Sequence, residues 1–446
     1  MDRLKSLIAL DRRHVWHPFT QAMTAPDQIP IRSGRGAVLH GEDGKEYLDL
    51  ISSWWVNLHG HAHPAIAQAI AEQARTLEQV IFAGFTHHGA VELSRRLTEL
   101  LPGDLNRVFF SDDGSTSVEV ALKLAHQYWR NLGQPQRRHF IAFEGGYHGD
   151  TFGAMAAGAR SGFFDPFADM LFEVTALPYP ATWDGDEGVE EREATCLAAL
   201  DSWLRTHGEE TSAMIGEPLI QGASGMRMCR PEFLRAFADR LRESGVLLIL
   251  DEVMTGFGRT GSTFACLKAQ VTPDIICLSK GLTAGFLPMA VTVCRDGIFE
   301  AFLDESFAKA FAHGHSFTAN SLGCAAALAS LDLLLTPDTS ARLQAIEAHH
   351  RRRLDRLASL PGVARTRLTG TVAAFDVEGR GDGYDAAVGP ALRTFFMERG
   401  LLIRPLGNVV YLLPPYCISP EQLDLAYDGI EAALADGIEA ALTGGI

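Results

Sequence analysis

A chain of 446 residues with 47% hydrophobic side chains can bury a sizeable core, and its length points to more than one domain. Its 55 acidic against 39 basic residues leave a net charge of −16, which opposes binding to nucleic acid or to an anionic membrane. Seven cysteines, an odd number without CxxC pairs, fit a reducing cytoplasm, and Met1 to Lys5 lacks the apolar core of a signal peptide.

Residues 1–65 read as an N-terminal arm followed by a hairpin that turns at Asp43-Gly44, between Ala37-Val38-Leu39 and Tyr47-Leu48. His59, His61 and His63 alternate here, as His313 and His315 do later. Neither set has a Cys or Glu partner in metal-ligand spacing, so they read as loop histidines and no metal site is expected. From about 66 to 325, apolar strands alternate with helical stretches, the signature of an α/β fold with a mainly parallel sheet flanked by helices. Within it, the strand Arg107–Phe110 runs through Ser111–Thr116 into a helical pattern from Val118 to Ala125. Such a junction offers free N–H groups and the helix dipole to an anion, with Gly114 permitting close approach and Ser115 adding a hydroxyl. An ordinary N-cap has the same composition. Thr182 to Glu193, acidic and poor in apolar residues, reads as a surface loop.

Further on, Val246–Leu250 is the continuous apolar run of a doubly covered parallel strand, and it delivers Asp251 and Glu252 at its tip. Gly256-Phe257-Gly258-Arg259-Thr260-Gly261 formally matches GxGxxG, but it neither leaves a strand directly nor opens a long helix, so no dinucleotide site is expected. Asp274–Leu278 is a second buried strand, ending in Ser279-Lys280-Gly281. Lys280 is one of six lysines and the one at the end of such a strand. The interval from Asp251 suits one crossover, so both side chains should reach the same edge of the same sheet. Desolvation there lowers a lysine's pKa and yields the neutral amine that attacks a carbonyl, although a strand-end lysine can also simply reach for water and the two residues can form a structural ion pair. Lysine, carboxylate and anion-binding junction together fit pyridoxal phosphate, whose aldehyde, pyridine nitrogen and phosphate they would hold. A helical link from Cys324 to Leu335, too short and too interrupted by Asp332 to span a bilayer, leads into a C-terminal α+β region with strands at Ala373–Val377 and Val409–Leu413 and a helix over Ala391–Glu398. Arg351 to Arg353 read as a solvated helix face.

Asp251-Glu252-Val253, the glycine run from Gly256 to Gly261, Pro273-Asp274-Ile275 and Lys280-Gly281 together resemble the class III aminotransferases, which are fold-type I pyridoxal-phosphate transferases. The likeness runs essentially end to end. Trp16-His17-Pro18-Phe19-Thr20, Ser52-Ser53-Trp54-Trp55, Gly146–Thr151, Gln221–Met228 and Ile403-Arg404-Pro405 are similar to the biotin-pathway branch of that family. The resemblance implies a large cofactor-binding domain over 66–325 and a smaller α+β domain formed by 326–446 together with the N-terminal segment 1–65. It implies Lys280 as the Schiff-base lysine and proton carrier, Asp251 on the pyridine nitrogen, and Tyr147 and Val253 against opposite faces of the ring. Gly114 and Ser115 would hold the phosphate, completed by a segment with Gly314, His315 and Ser316 from a neighbouring subunit, so that a homodimer shares its sites.

The implied reaction moves an amino group from S-adenosylmethionine to the ketone of 8-amino-7-oxononanoate, giving 7,8-diaminononanoate. Its substrate contacts would be Phe19, Trp54, Trp55, Tyr147, Gly314 and Arg404, the arginine meeting the carboxylate. Neighbours on a strand face opposite sides, so one of the two tryptophans is expected in the core, and the resemblance makes Trp54 the one facing ligand. Phe19 stands where several family members carry tyrosine, which leaves another amino donor open. Asp150 stands where many ω-aminotransferases carry an arginine, which favours the biotin branch over ω-amino acid or diamine aminotransferases. A non-catalytic regulator on the same fold is the remaining alternative, against which counts the lack of a helix-turn-helix pattern at either end.

Overall fold

The computed structural model describes residues 2–158, 162–378, 386 and 388–437. Its centre is a seven-stranded sheet built from β1 (Leu105–Ser111), β2 (His139–Phe143), β3 (Val174–Leu177), β4 (Thr211–Gly216), β5 (Leu247–Asp251), β6 (Ile275–Leu278) and β7 (Ala290–Arg295). The spatial order is β1-β7-β6-β5-β4-β2-β3. Only β7 runs antiparallel, against both β1 and β6. The continuous apolar run of β5 is explained by its two covered faces. Leu247 and Ile249 pack on the side of helix α1 (Gly114–Asn131), and Leu248 and Leu250 pack on the side of helix α2 (Pro231–Glu243). Strands β5 and β6 are parallel neighbours with Asp251 opposite Cys277, which brings Asp251 and the residues after Leu278 to one edge.

The smaller α+β part holds a three-stranded antiparallel sheet, Val363–Thr369, Val372–Val377 and Val409–Leu412, with helices over Pro337–Leu357, Val388–Glu398 and Pro420–Ala432. The N-terminal hairpin, Val38–Gly41 with Glu46–Asp49, is extended by Leu401–Leu402 pairing in parallel with Glu46–Asp49. Helix α3 (Ser321–Leu334) runs unbroken through position 325.

Some expectations gain detail and others need correction. The N-terminal arm opens as a helix, Asp2–His14, with three basic residues in its last turn. The acidic stretch read as a loop to Glu193 turns helical at Val189, because Glu190 and Glu191 in a first turn complement the helix dipole. Arg353 is not a solvated residue, since it pairs with Asp424, Asp428 and Glu431. The histidines read as loop residues include a buried one, His59, whose Nε2 meets the Ser330 carbonyl at 3.1 Å. Among the described residues no helix is long and apolar enough to cross a membrane, and no His/Cys/Asp/Glu group is arranged to hold a metal ion.

His350, wholly buried in the smaller part with Nδ1 at 2.7 Å from the Tyr427 hydroxyl, gives a pH prediction. Burial, helped by the charge of His349, lowers its pKa to about 3. The folded state therefore refuses a proton that the unfolded chain accepts below its ordinary value near 6.5, so this histidine's contribution falls as pH drops from about 6.5 toward 3. Between pH 6.5 and 4 the protein is expected to lose about 3 kcal/mol more stability than its His350→Phe variant, read from urea unfolding at each pH.

Candidate active site

Five strands of the large sheet deliver their C-terminal ends to one cavity of about 590 Å³. From β1 the chain enters α1 through Asp113, whose carboxylate accepts the Thr116 N–H at 2.9 Å while the Thr116 hydroxyl accepts the Asp113 N–H at 3.0 Å. This is a capping box, so the ordinary N-cap foreseen for the junction exists. The first backbone bond of the helix runs from Ser117 N–H to the Asp113 carbonyl, which leaves the Gly114 and Ser115 amides ahead of the ladder at the cavity wall. A Cβ on Gly114 would meet Val253 Cγ1 at 2.7 Å, so only glycine lets the helix start approach this closely. The Ser115 hydroxyl accepts the Thr151 N–H at 3.0 Å and shares a hydrogen bond of 2.8 Å with the Thr151 hydroxyl.

The loop after β2 supplies Tyr147 and His148. Tyr147 stacks on Phe164 with ring centroids 6.4 Å apart. Burial, and then the charge and hydrogen bond of Asp150, raises the phenol's pKa and keeps it protonated. His148 is buried, with Nδ1 at 2.7 Å from Asp251 Oδ2. Burial works to lower its pKa, but the Asp251 carboxylate and Glu217 outweigh that and raise it. Asp251 Oδ1 accepts the Val253 N–H at 3.0 Å.

From β6 comes Lys280, held at φ +42°, an unusual conformation for a side chain of this kind. Burial pushes its pKa below the ordinary value, aided by the Arg259 guanidinium and opposed by Asp251 and Glu217. Its Nζ lies 5.0 Å from the centre of the Trp55 ring.

The two tryptophans separate as expected, although the backbone does not alternate as a strand would. Ser52–Trp55 is an irregular helical turn in which Ser52, Ser53 and Trp55 all have positive φ. Trp55 is 5% exposed and its indole N–H donates to the Tyr411 hydroxyl at 3.0 Å, whereas Trp54 is 42% exposed. The Trp54 ring lies 5.7 Å from Phe19, and the Arg404 guanidinium lies 4.6 Å from its centre. Residues from three distant parts of the chain thus form one aromatic and cationic cluster; of these side chains and Trp55, only Trp55 lines the cavity itself.

Gly314, His315 and Ser316 do not enter this chain's cavity. His315 Nδ1 lies 3.6 Å from Asp112, and the exposed Ser316 offers its carbonyl to Gln79. Two functional candidates had escaped the sequence reading. Glu217 follows β4 and its carboxylate accepts the Tyr147 and Gly222 N–H groups; burial raises its pKa to about 7. The signal was available, because Gly216-Glu217 ends an apolar strand just as Leu250-Asp251 does. Arg259, in the rejected GxGxxG run, is fully buried and donates to the carbonyls of Trp55, Asn57 and Pro414, fastening the tryptophan turn to the C-terminal part.

A family model described as aminotransferase class-III matches residues 20–434. The chain is 55% identical over 423 residues to an adenosylmethionine-8-amino-7-oxononanoate aminotransferase of Synechococcus elongatus, covering 95% of this chain and 98% of that protein. The crystal structure of a protein of the same name from Methanocaldococcus jannaschii superimposes with a TM-score of 0.90 at 33% identity, over 97% of this chain and 99% of that one. An amine transaminase from an uncultivated Pseudomonas species, in a PLP-bound form, gives 0.87 at 30% identity over 95% and 98%. Overall backbone similarity therefore does not distinguish the two activities.

Proposed function

This chain belongs to the class III aminotransferases, and on that footing we propose that it transfers an amino group from S-adenosylmethionine to 8-amino-7-oxononanoate, yielding 7,8-diaminononanoate for biotin synthesis. The observation that carries the chemistry is the meeting of Lys280, Asp251 and the open start of α1 at one cavity. The substrate assignment rests on the 55% identity to the relative of that name.

The residues fit pyridoxal phosphate. Gly114 brings the α1 amides where a larger residue would strike Val253, the lysine is disposed to be neutral, and a carboxylate stands beside it. When bound, that group supplies a carbonyl able to take up the amino group and a ring able to draw electrons from the adjacent carbon. Lys280 would anchor it through Nζ and then, freed, carry the proton between the two carbons that exchange it. Asp251, braced by the Val253 amide and by His148, would place negative charge at the ring nitrogen. Tyr147 and Val253 would enclose the ring, Ser115 would donate to the phosphate, and Trp55 would exclude water beside Lys280. His315 and Ser316, outside their own chain's cavity, would complete the phosphate site of the second subunit in a homodimer, with Gly314 beside the substrate there. The seven free cysteines suit a reducing cytoplasm.

Arg404 and Trp54 would take the carboxylate end of the keto acid, with Phe19 against its chain. Arg404→Ala is expected to raise KM for the keto acid by about 10–100-fold, the value of a charged hydrogen bond, with little change in KM for the donor. Comparing the two KM values checks it.

The reading is tested with purified holoenzyme, S-adenosylmethionine and 8-amino-7-oxononanoate, measuring 7,8-diaminononanoate. Transfer only to pyruvate would contradict it. Product formed only with another amino donor would favour the second reading, the same step with a different donor, which Phe19 keeps open because its ring has no hydroxyl.

A further inference from the structure

The turn Ser52–Trp55 joins the cavity lining, where Trp55 lies beside Lys280, to the Trp54–Arg404 pair, in a backbone that side chains rarely adopt. Ser52, Ser53 and Trp55 have φ of 51°, 61° and 66°, and none of them is glycine. Such a segment persists only where its surroundings over-determine it. The inner end is held from outside, by the Ser52 hydroxyl on the Leu413 carbonyl at 2.8 Å, the Trp55 indole on Tyr411 and Arg259 on the Trp55 carbonyl. The Ser53 end is held by Asp49. This carboxylate, wholly buried at the end of the strand Glu46–Asp49, receives two donors on each oxygen. Oδ1 accepts the N–H groups of Ile51 at 3.3 Å and Ser53 at 2.9 Å. Oδ2 accepts the Ser53 hydroxyl at 3.1 Å and lies 2.8 Å from His61 Nε2.

His61 is itself fixed. Its backbone exchanges hydrogen bonds with Gly36 at 2.7 and 3.3 Å, and its Cβ lies where a Cβ on Gly34 would have to go. The chain therefore spends a buried carboxylate and a histidine on one strained turn whose exposed product is the direction of Trp54.

We propose that Asp49 and His61 are positioning residues that aim Trp54 at Arg404 and so set recognition of the substrate's carboxylate end, without taking part in proton transfer. The proposal rests on the reading of the Trp54–Arg404 cluster given above. In Asp49→Asn the side chain keeps its shape, but one of the two acceptor oxygens becomes a donor facing donors. The expected result is a rise of at least about tenfold in KM for 8-amino-7-oxononanoate, with kcat changed less than about threefold. Its Kd, titrated by tryptophan fluorescence, should rise in parallel. The cofactor's visible absorbance, and the rate at which a short primary amine changes it, should stay as in wild type, because neither reaches Trp54. In a Trp54→Ala background Asp49→Asn should add nothing further to KM, since the side chain it aims is gone.

His61→Gln, which leaves the carboxylate and its other donors, should show a smaller shift of the same kind and takes the place of Asp49→Asn if that variant does not fold. Unchanged KM and Kd in the variant measured, equal effects with and without Trp54, or a loss of cofactor absorbance matching the loss of activity would overturn the proposal. A wild-type enzyme that binds the keto acid and reacts with short amines, yet forms no diaminononanoate, would overturn the functional reading instead, and the Kd comparison would still decide the role of Asp49.

Discussion

Lys280→Ala is expected to lower diaminononanoate formation by on the order of 10⁴-fold, because it would remove the amine proposed both to anchor the cofactor and to carry the proton. Lys280→Arg is expected to be equally inactive, since a guanidinium keeps its proton at any working pH while the lysine here is driven toward the neutral form by burial. Folding should survive both changes. The strand before position 280 is secured by its own ladder to β5 and β7 and by apolar contacts on both faces, none of which uses the lysine side chain. Steady-state kinetics beside thermal unfolding check this, and retention of more than about a tenth of wild-type turnover would remove Lys280 from the chemistry.

Asp251→Asn is expected to reduce kcat by about 10²–10³-fold, the scale on which loss of one preorganised electrostatic group is felt. Asparagine preserves the shape and can still accept the Val253 amide, so the loss isolates the charge. The same change withdraws the carboxylate that, against burial, raises the pKa of His148. The absorbance of the bound cofactor should therefore shift as well as the rate. A kcat within about threefold of wild type would mean that Asp251 serves the fold alone.

The parts of the site that lie on regular elements were legible before the structure. A continuous apolar run ending in a charged residue is a rule of open α/β sheets, and it located Asp251 and Lys280 because β5 and β6 are covered on both faces, which leaves their tips as the place where polarity returns. The same rule would have reached Glu217, but one carboxylate among 55 acidic residues draws no notice until its neighbours are known. The tryptophan turn was not legible. Its positive φ values fall on serines and a tryptophan, with no glycine or proline to mark them, and its restraints come from Tyr411 and Leu413, far along the chain. Val189 was missed as a helix start for a related reason, since the acidic residues that read as loop are those a first turn prefers. Arg353 looked solvated because its three acidic partners lie on a helix some seventy residues later. Gly314, His315 and Ser316 entered by resemblance alone, and local sequence gave no indication of their placement.

The most direct test is to reduce the holoenzyme with borohydride, digest it and map the peptide that carries the pyridoxyl mass. The account predicts that mass on the peptide containing Lys280. Finding it on any of the other five lysines, or on none, would contradict the account.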